Sequence, residues 1–250
     1  MDDALPGHPV RYGCPMPPSN DARATVPRRT RITFGLVAAV YAILLCLVLG
    51  DILGGYLHGL TPGDPVWHFP YAFTNQVNLL LMAWLALFAV ANLGTGSLAR
   101  AAGRLATEGM AAGLALCQLV TFVTVTCVLN PFYRGEFRDV LSGGGVYLHV
   151  YSPVVVMLIF LLYAWPDKAT WRAVLGWMGY LLAYVAVVLV VGARFRWRGG
   201  EQAYAYGFLD PHTYPSVSVY ALVIAGVALA VFGLGLGLLR VKRALDAGLR

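Results

Sequence analysis

The sequence predicts an all-α membrane protein: a bundle of six transmembrane helices with both termini in the cytoplasm. Three observations predict it. Hydrophobic residues make up 59% of the 250 residues and charged residues only 12%, about half the charged share of a soluble domain. Six apolar runs reach the roughly 20 residues that cross hydrocarbon as a helix. The basic residues are one-sided: thirteen of the eighteen Lys and Arg fall in the two tails and the even-numbered loops, which the positive-inside rule assigns to the cytoplasm. Mean hydropathy is +0.68. Such a chain could not cover a water-facing surface, so a soluble enzyme, a nucleic-acid binder and a disordered protein are all disfavoured. The net charge of +6 is read as basic loops on the cytoplasmic side, with no nucleic-acid partner.

Residues 1–30 are polar and hold six prolines. They read as a disordered cytoplasmic tail, and without an apolar core they are not a cleavable signal peptide. Residues 31–240 form the membrane domain, and 241–250 form a short basic tail. The apolar runs are 32–56, 70–93, 109–130, 145–165, 171–193 and 217–239. A backbone in lipid must satisfy its own hydrogen bonds, so runs this long are helices. Pro70 marks the start of the second, Asn130-Pro131 stops the third, and Gly143-Gly144-Gly145 precedes the fourth. Trp67, Trp165 and Trp171 read as an aromatic belt, and Gly233-xxx-Gly237 as a weak close-packing signal. Cys14, Cys46, Cys117 and Cys127 show no zinc or disulfide spacing and read as small apolar residues. The location implied is the cell membrane.

Polar groups in a membrane are expensive and each needs a reason. The second run opens with Phe73-Thr74-Asn75-Gln76-Val77-Asn78, where Thr74 and Asn78 share a face at i,i+4. The fourth opens with Tyr147-Leu148-His149-Val150-Tyr151-Ser152-Pro153. Asp51 lies near the end of the first run, and the last outer loop carries Tyr204, Tyr206, Asp210 and His212. The topology brings these positions to the outer side, with Thr74 and His149 each about one helical turn below it. The inner ends show no comparable cluster. One polar pocket opening to the outer leaflet is expected, lined by Thr74, Asn78, His149 and 206–210. Thr74 and His149 are expected within direct or one-water reach. Pro153 removes the N–H that would serve the His149 carbonyl, which predicts a kink there. The bland readings stand beside these. Thr bonds back to its own helix, Asn75 and Asn78 serve as interhelical glue, Asp51 is interfacial, and Gln118, Thr121 and Thr124 are packing.

The motif at 73–78 resembles the "FT-x-Q-S-N" signature of a prokaryotic six-pass integral membrane family. That family is related to the androgen-induced membrane hydrolases of animals. Leu148-His149 with Pro153 is similar to its "LH…P" segment, and Tyr206-Gly207-Phe208-Leu209-Asp210 to its "YPFLD" motif. The three occur in the family's order across roughly 69–215, with Val77 in place of Ser and Gly207 in place of Pro. The resemblance implies a hydrolase of fatty acid esters with an intramembrane Thr and His, here Thr74 and His149. A neutral His149 could take the Thr74 proton. Asp210, or next Asp51, would orient the imidazole. Asn75 or Asn78 would supply oxyanion donors, with Tyr206 on the substrate side. The partners implied are membrane lipids, with an amphiphilic ester arriving from the outer leaflet, and no metal or other cofactor. A metal-dependent membrane hydrolase using the outer His and Asp residues, a lipid-binding or transport protein, and a structural protein remain alternatives. A reporter that works only in the cytoplasm, fused after Arg250, is expected to be active. Activity only of an extracytoplasmic reporter would reverse the orientation.

Overall fold

The computed structural model describes residues 26–59, 68–129, 143–196 and 203–248, and every regular element in them is helical. The long helices are α1 (Arg28–Gly59), α2 (Phe73–Leu93), α4 (Glu108–Val123), α5 (Gly144–Leu162), α6 (Trp171–Arg194) and α7 (Val217–Gly248), with a short α3 (Gly96–Leu105) between α2 and α4. Each except α3 belongs to a span long and apolar enough to cross a membrane. The six-span topology therefore stands. The tail before residue 26, Asn130-Pro131 and Trp67 lie outside the described residues.

With six crossings, the start of α1 and the end of α7 share one face. Exposed Arg28, Arg100, Arg104, Arg172, Arg240 and Arg243 belong to it, and we call it the basic face. Helix α4 is the axis of the bundle: it packs against α2, α5, α6 and α7, and α1 packs along α2. In its most apolar stretch 56% of α4 is buried, against 17% for α7. Small residues explain this. Ala111, Ala112, Gly113 and Ala115 line α4, and without bulk there neighbouring backbones come close. The Trp177 indole of α6 crosses Gly113, where a Cβ would stand 1.7 Å from its Nε1. That nitrogen donates to the Gly109 carbonyl at 3.2 Å. In α7 the close-packed glycine is Gly235, against Val174, while Gly233 and Gly237 have open space where a Cβ would stand. Among the described residues the expected pair therefore makes no close contact.

Three further expectations are corrected. Pro70 lies within a short helix, His68–Tyr71, and does not start the span; the chain then extends at Ala72 (φ −68°, ψ 126°), and α2 starts at Phe73. Trp165 is no interfacial anchor: it is 5% exposed, packs with Phe88 and Tyr163, and its Nε1 donates to the Phe160 carbonyl at 3.0 Å. Trp171 is exposed, as an anchor should be. The basic face also carries a polar cluster that the sequence did not reveal, because its members come from three distant segments. The Lys242 ammonium donates to the carbonyls of Leu161 and Tyr163 at 3.2 and 3.0 Å, and to Asp246. Lys168 also pairs with Asp246. The Glu108 carboxylate accepts the Ala169 N–H at 2.9 Å, and Asp167 accepts the Glu108 N–H at 3.0 Å. A cation on the last carbonyls of α5 satisfies orphan acceptors and complements the helix dipole.

Gly113→Ala is expected to destabilise the protein by about 1–3 kcal/mol through overpacking against Trp177. Gly233→Ala should be neutral. Thermal unfolding in detergent reads both, and equal melting temperatures for the two variants would contradict this packing.

Candidate functional site

The site begins at the first turn of α2. The first N–H groups of a helix lack intrahelical partners, and α2 has no side-chain cap from Ala72. The Tyr206 hydroxyl comes to this end instead. It stands beside donor groups of Phe73, Thr74 and Tyr184, and Tyr206 shares a cavity wall with Thr74. Burial pushes the Tyr206 phenol up, and those donors pull it partly back. It stays above its ordinary value and is therefore a neutral donor near pH 7. Tyr184, from α6, donates to the Tyr71 carbonyl at 3.2 Å, and Tyr71 donates to the Ala203 carbonyl at 3.0 Å. Tyr180 donates to Gln76 at 3.1 Å. Asn75 Nδ2 reaches back to the Phe69 carbonyl at 2.9 Å. A collar of tyrosines thus fixes the start of α2 against α6 and the 203–214 segment.

The second half of the site is a register change in α5. Residues Tyr147–Tyr151 form a π-turn, in which the Ser152 N–H bonds to the Tyr147 carbonyl. A wide turn thus stands where a kink beside His149 was expected. In the wider register the carbonyl that looks to Pro153 is that of Leu148. Asn78 supplies the missing donor, from its Nδ2 at 3.4 Å. The same amide donates to the Thr74 carbonyl at 2.8 Å, and its oxygen accepts Gln118 Nε2 at 3.1 Å. Tyr41 of α1 touches the turn from the other side: its hydroxyl donates to the Tyr147 carbonyl at 3.3 Å and lies 3.2 Å from Ser152 Oγ. The last turn of the third span is a π segment as well, Thr124–Leu129. Single π-turns in α-helices frequently mark functional sites.

His149 Nδ1 is 2.9 Å from the Gly145 carbonyl. A carbonyl only accepts, so in the neutral ring Nδ1 carries the proton and Nε2 the lone pair. Thr74, Asn75, His149 and Tyr206 line one cavity of about 400 Å³. The rest of its wall is mainly apolar, from α4, α6 and α7. Among the described residues no hydrogen bond joins Thr74 directly to His149.

The remaining expected residues lie elsewhere. Asn78 is fully buried and braces the two halves from behind; it is not among the residues of the cavity wall. Asp210 does not orient His149, because the Gly145 carbonyl holds that position. Asp210 caps the turn at Pro211–Thr213, accepting the His212 N–H at 2.9 Å and lying 2.8 Å from its ring. Asp51 is exposed on α1 and outside the cavity wall. Gln118, expected to be packing, is the far end of the Asn78 network. Tyr184, Tyr71 and Tyr41 went unnoticed, although a buried tyrosine hydroxyl needs a partner and could have flagged them. Among the described residues no group of three His, Cys, Asp or Glu side chains could hold a metal ion.

Asn78→Ala is expected to cost about 1–3 kcal/mol, because it strands the Leu148 carbonyl and the Gln118 amide in a buried setting. Asp51→Asn should leave stability unchanged. Thermal unfolding of both variants checks the assignment, and an Asn78→Ala protein as stable as the parent would refute it. No known protein family, characterised protein or solved structure matches the chain.

Proposed function

We propose that the protein is an integral membrane hydrolase of fatty acid esters, with Thr74 as nucleophile and His149 as base. The observation that carries this is the cavity itself: a hydroxyl, an imidazole with its lone pair on Nε2 and a neutral phenol share one mainly apolar chamber. A chamber of this size suits a small amphiphile. Its polar corner would hold the ester and its apolar wall the alkyl part. The motifs that resemble the prokaryotic six-pass family related to the androgen-induced hydrolases coincide with this corner, at Thr74, His149 and Tyr206.

In the proposed reaction, His149 Nε2 takes the Thr74 proton as Oγ bonds to the ester carbonyl carbon. The carbonyl oxygen becomes an oxyanion, and the Tyr206 O–H or the Asn75 amide stabilises it. The ester C–O bond breaks and the alcohol leaves with the proton held on His149. Water then attacks the acyl–Thr74 ester, giving up a proton to His149 and releasing the fatty acid, with Thr74 Oγ reprotonated. Catalytic hydrogen bonds are often open without substrate, so a direct Thr74–His149 bond is not required in this state. The proposed location is the cell membrane, and the substrate would come from the outer leaflet.

Protein purified in detergent is expected to hydrolyse a fluorogenic medium- or long-chain fatty ester. Thr74→Ala and His149→Ala should each abolish turnover, since paired groups fail as a unit. Tyr206→Phe should slow turnover by about 10²–10³-fold if it is an oxyanion donor. A chelator should have no effect; loss of activity on chelation would favour the metal-dependent alternative. Unchanged hydrolysis by Thr74→Ala would overturn the proposal.

A further inference from the structure

Helix α3 is a third kind of element that the sixfold topology does not need. Eight of its ten residues, with Ala106 just beyond its end, fall into three stripes, each spaced i, i+3, i+7. Ala99, Ala102 and Ala106 are buried against the bundle. Leu98, Ala101 and Leu105 are exposed, the two leucines at 69% and 57%. Ser97, Arg100 and Arg104 are exposed on the remaining side. At about 100° per residue, the leucine stripe lies between the alanine and arginine stripes. In water, the leucine stripe would be unfavourably placed. At a membrane surface it has a natural partner.

The connections hold the helix at that surface. Gly94-Thr95 joins it to α2 and Ala106-Thr107 to α4, and two residues reach at most about 7 Å. The flanking spans end at one level. Asn92, at the end of α2, accepts the Tyr163 hydroxyl at 2.6 Å, and Glu108, at the start of α4, accepts the Ala169 N–H at 2.9 Å. Tyr163 and Ala169 belong to the same α5–α6 connection. A ten-residue helix is about 15 Å long. With both ends at one depth, it runs along the membrane rather than into it.

We propose that α3 lies in the headgroup–acyl boundary of the leaflet at the basic face, with Leu98 and Leu105 among the acyl chains. Arg100 and Arg104 bind the phosphate groups of anionic phospholipids there. The charge fits: exposed Arg28, Arg172, Arg240 and Arg243 of α1, α6 and α7 stand on the same face, and guanidinium groups pair with phosphate oxygens bidentately. Such a helix anchors the protein by an apolar face and a basic one. This inference does not depend on the proposed hydrolase activity.

The test uses the full chain in nanodiscs, with its four cysteines replaced by alanine. An environment-sensitive fluorophore is attached at Leu98→Cys or at Ser97→Cys. The probe at 98 is expected to be shielded from aqueous iodide and quenched by spin-labelled lipid; the probe at 97 should show the reverse. Equal iodide access at 97 and 98 would overturn the surface placement. For the charge, quenching at 98 by spin-labelled phosphatidylglycerol is compared with quenching by spin-labelled phosphatidylcholine. Each basic residue near an anionic surface is worth about fivefold in partition, so two set an upper bound of about 30-fold enrichment. The quenching ratio should exceed one, fall to one in Arg100→Gln/Arg104→Gln, and persist in Arg100→Lys/Arg104→Lys. A ratio of one in the parent, or one unchanged in the Gln variant, would overturn the headgroup contact.

Discussion

A carbonyl in hydrocarbon must find a donor, and Pro153 takes one away. Much of the candidate site is arranged around that loss. The chain answers with one wide turn, in whose register the Leu148 carbonyl looks to Pro153. Asn78 then covers it from α2, Gln118 holds Asn78 from α4, and Tyr41 touches the turn from α1. Three helices therefore converge on one backbone defect in a fourth. An uncompensated buried carbonyl costs about 1–3 kcal/mol, so the defect is affordable only with this bracing. It leaves His149 on the widened turn, at the wall of the cavity.

The opposite wall rests on a second backbone deficit, the uncapped start of α2. A soluble protein would place Ser, Thr or Asp at the cap. Here Ala72 stands there, and Tyr206 comes from a distant segment to stand beside the first residues of the helix. The two deficits face one chamber. Thr74 belongs to one, His149 to the other, and Asn78 ties them together by bonding both the Thr74 and the Leu148 carbonyls. Polar side chains that look like separate oddities are thus one bracket between two interrupted helices.

The spans were legible because their signal is composition over about 20 residues, which no long-range contact is needed to see. Thr74, Asn75 and His149 were legible for a related reason: polar groups stand out in apolar runs. What could not be read was register and direction. The choice between a kink and a π-turn at Pro153 depends on which donors lie across the helix, and those come from residues 41 and 78. Asp210 looked like an orienting acid by its side of the membrane, yet its short side chain is used locally by His212. The ionic cluster at the basic face escaped notice because 108, 167–169 and 242–246 meet only after folding. Helix α3 was hidden by its alanines and glycines, which carry little hydropathy.

The two ends of the bundle are held by different chemistry, and the difference bears on function. The basic face is locked by charges: Lys242 sits on the last carbonyls of α5, and Asp246 pairs with both Lys242 and Lys168. Breaking one partner of such a cluster strands another charge, so this end resists rearrangement. The cavity end is held by neutral hydroxyls and amides. Such bonds contribute about 1 kcal/mol each and can exchange partners singly. On the proposed function, a chamber that admits an amphiphile needs that freedom beside Thr74 and His149. The static end meanwhile keeps α2, α4 and α5 in register. In the proposed hydrolase, a rigid charged base and an adaptable tyrosine collar would let the cavity open without loosening the bundle.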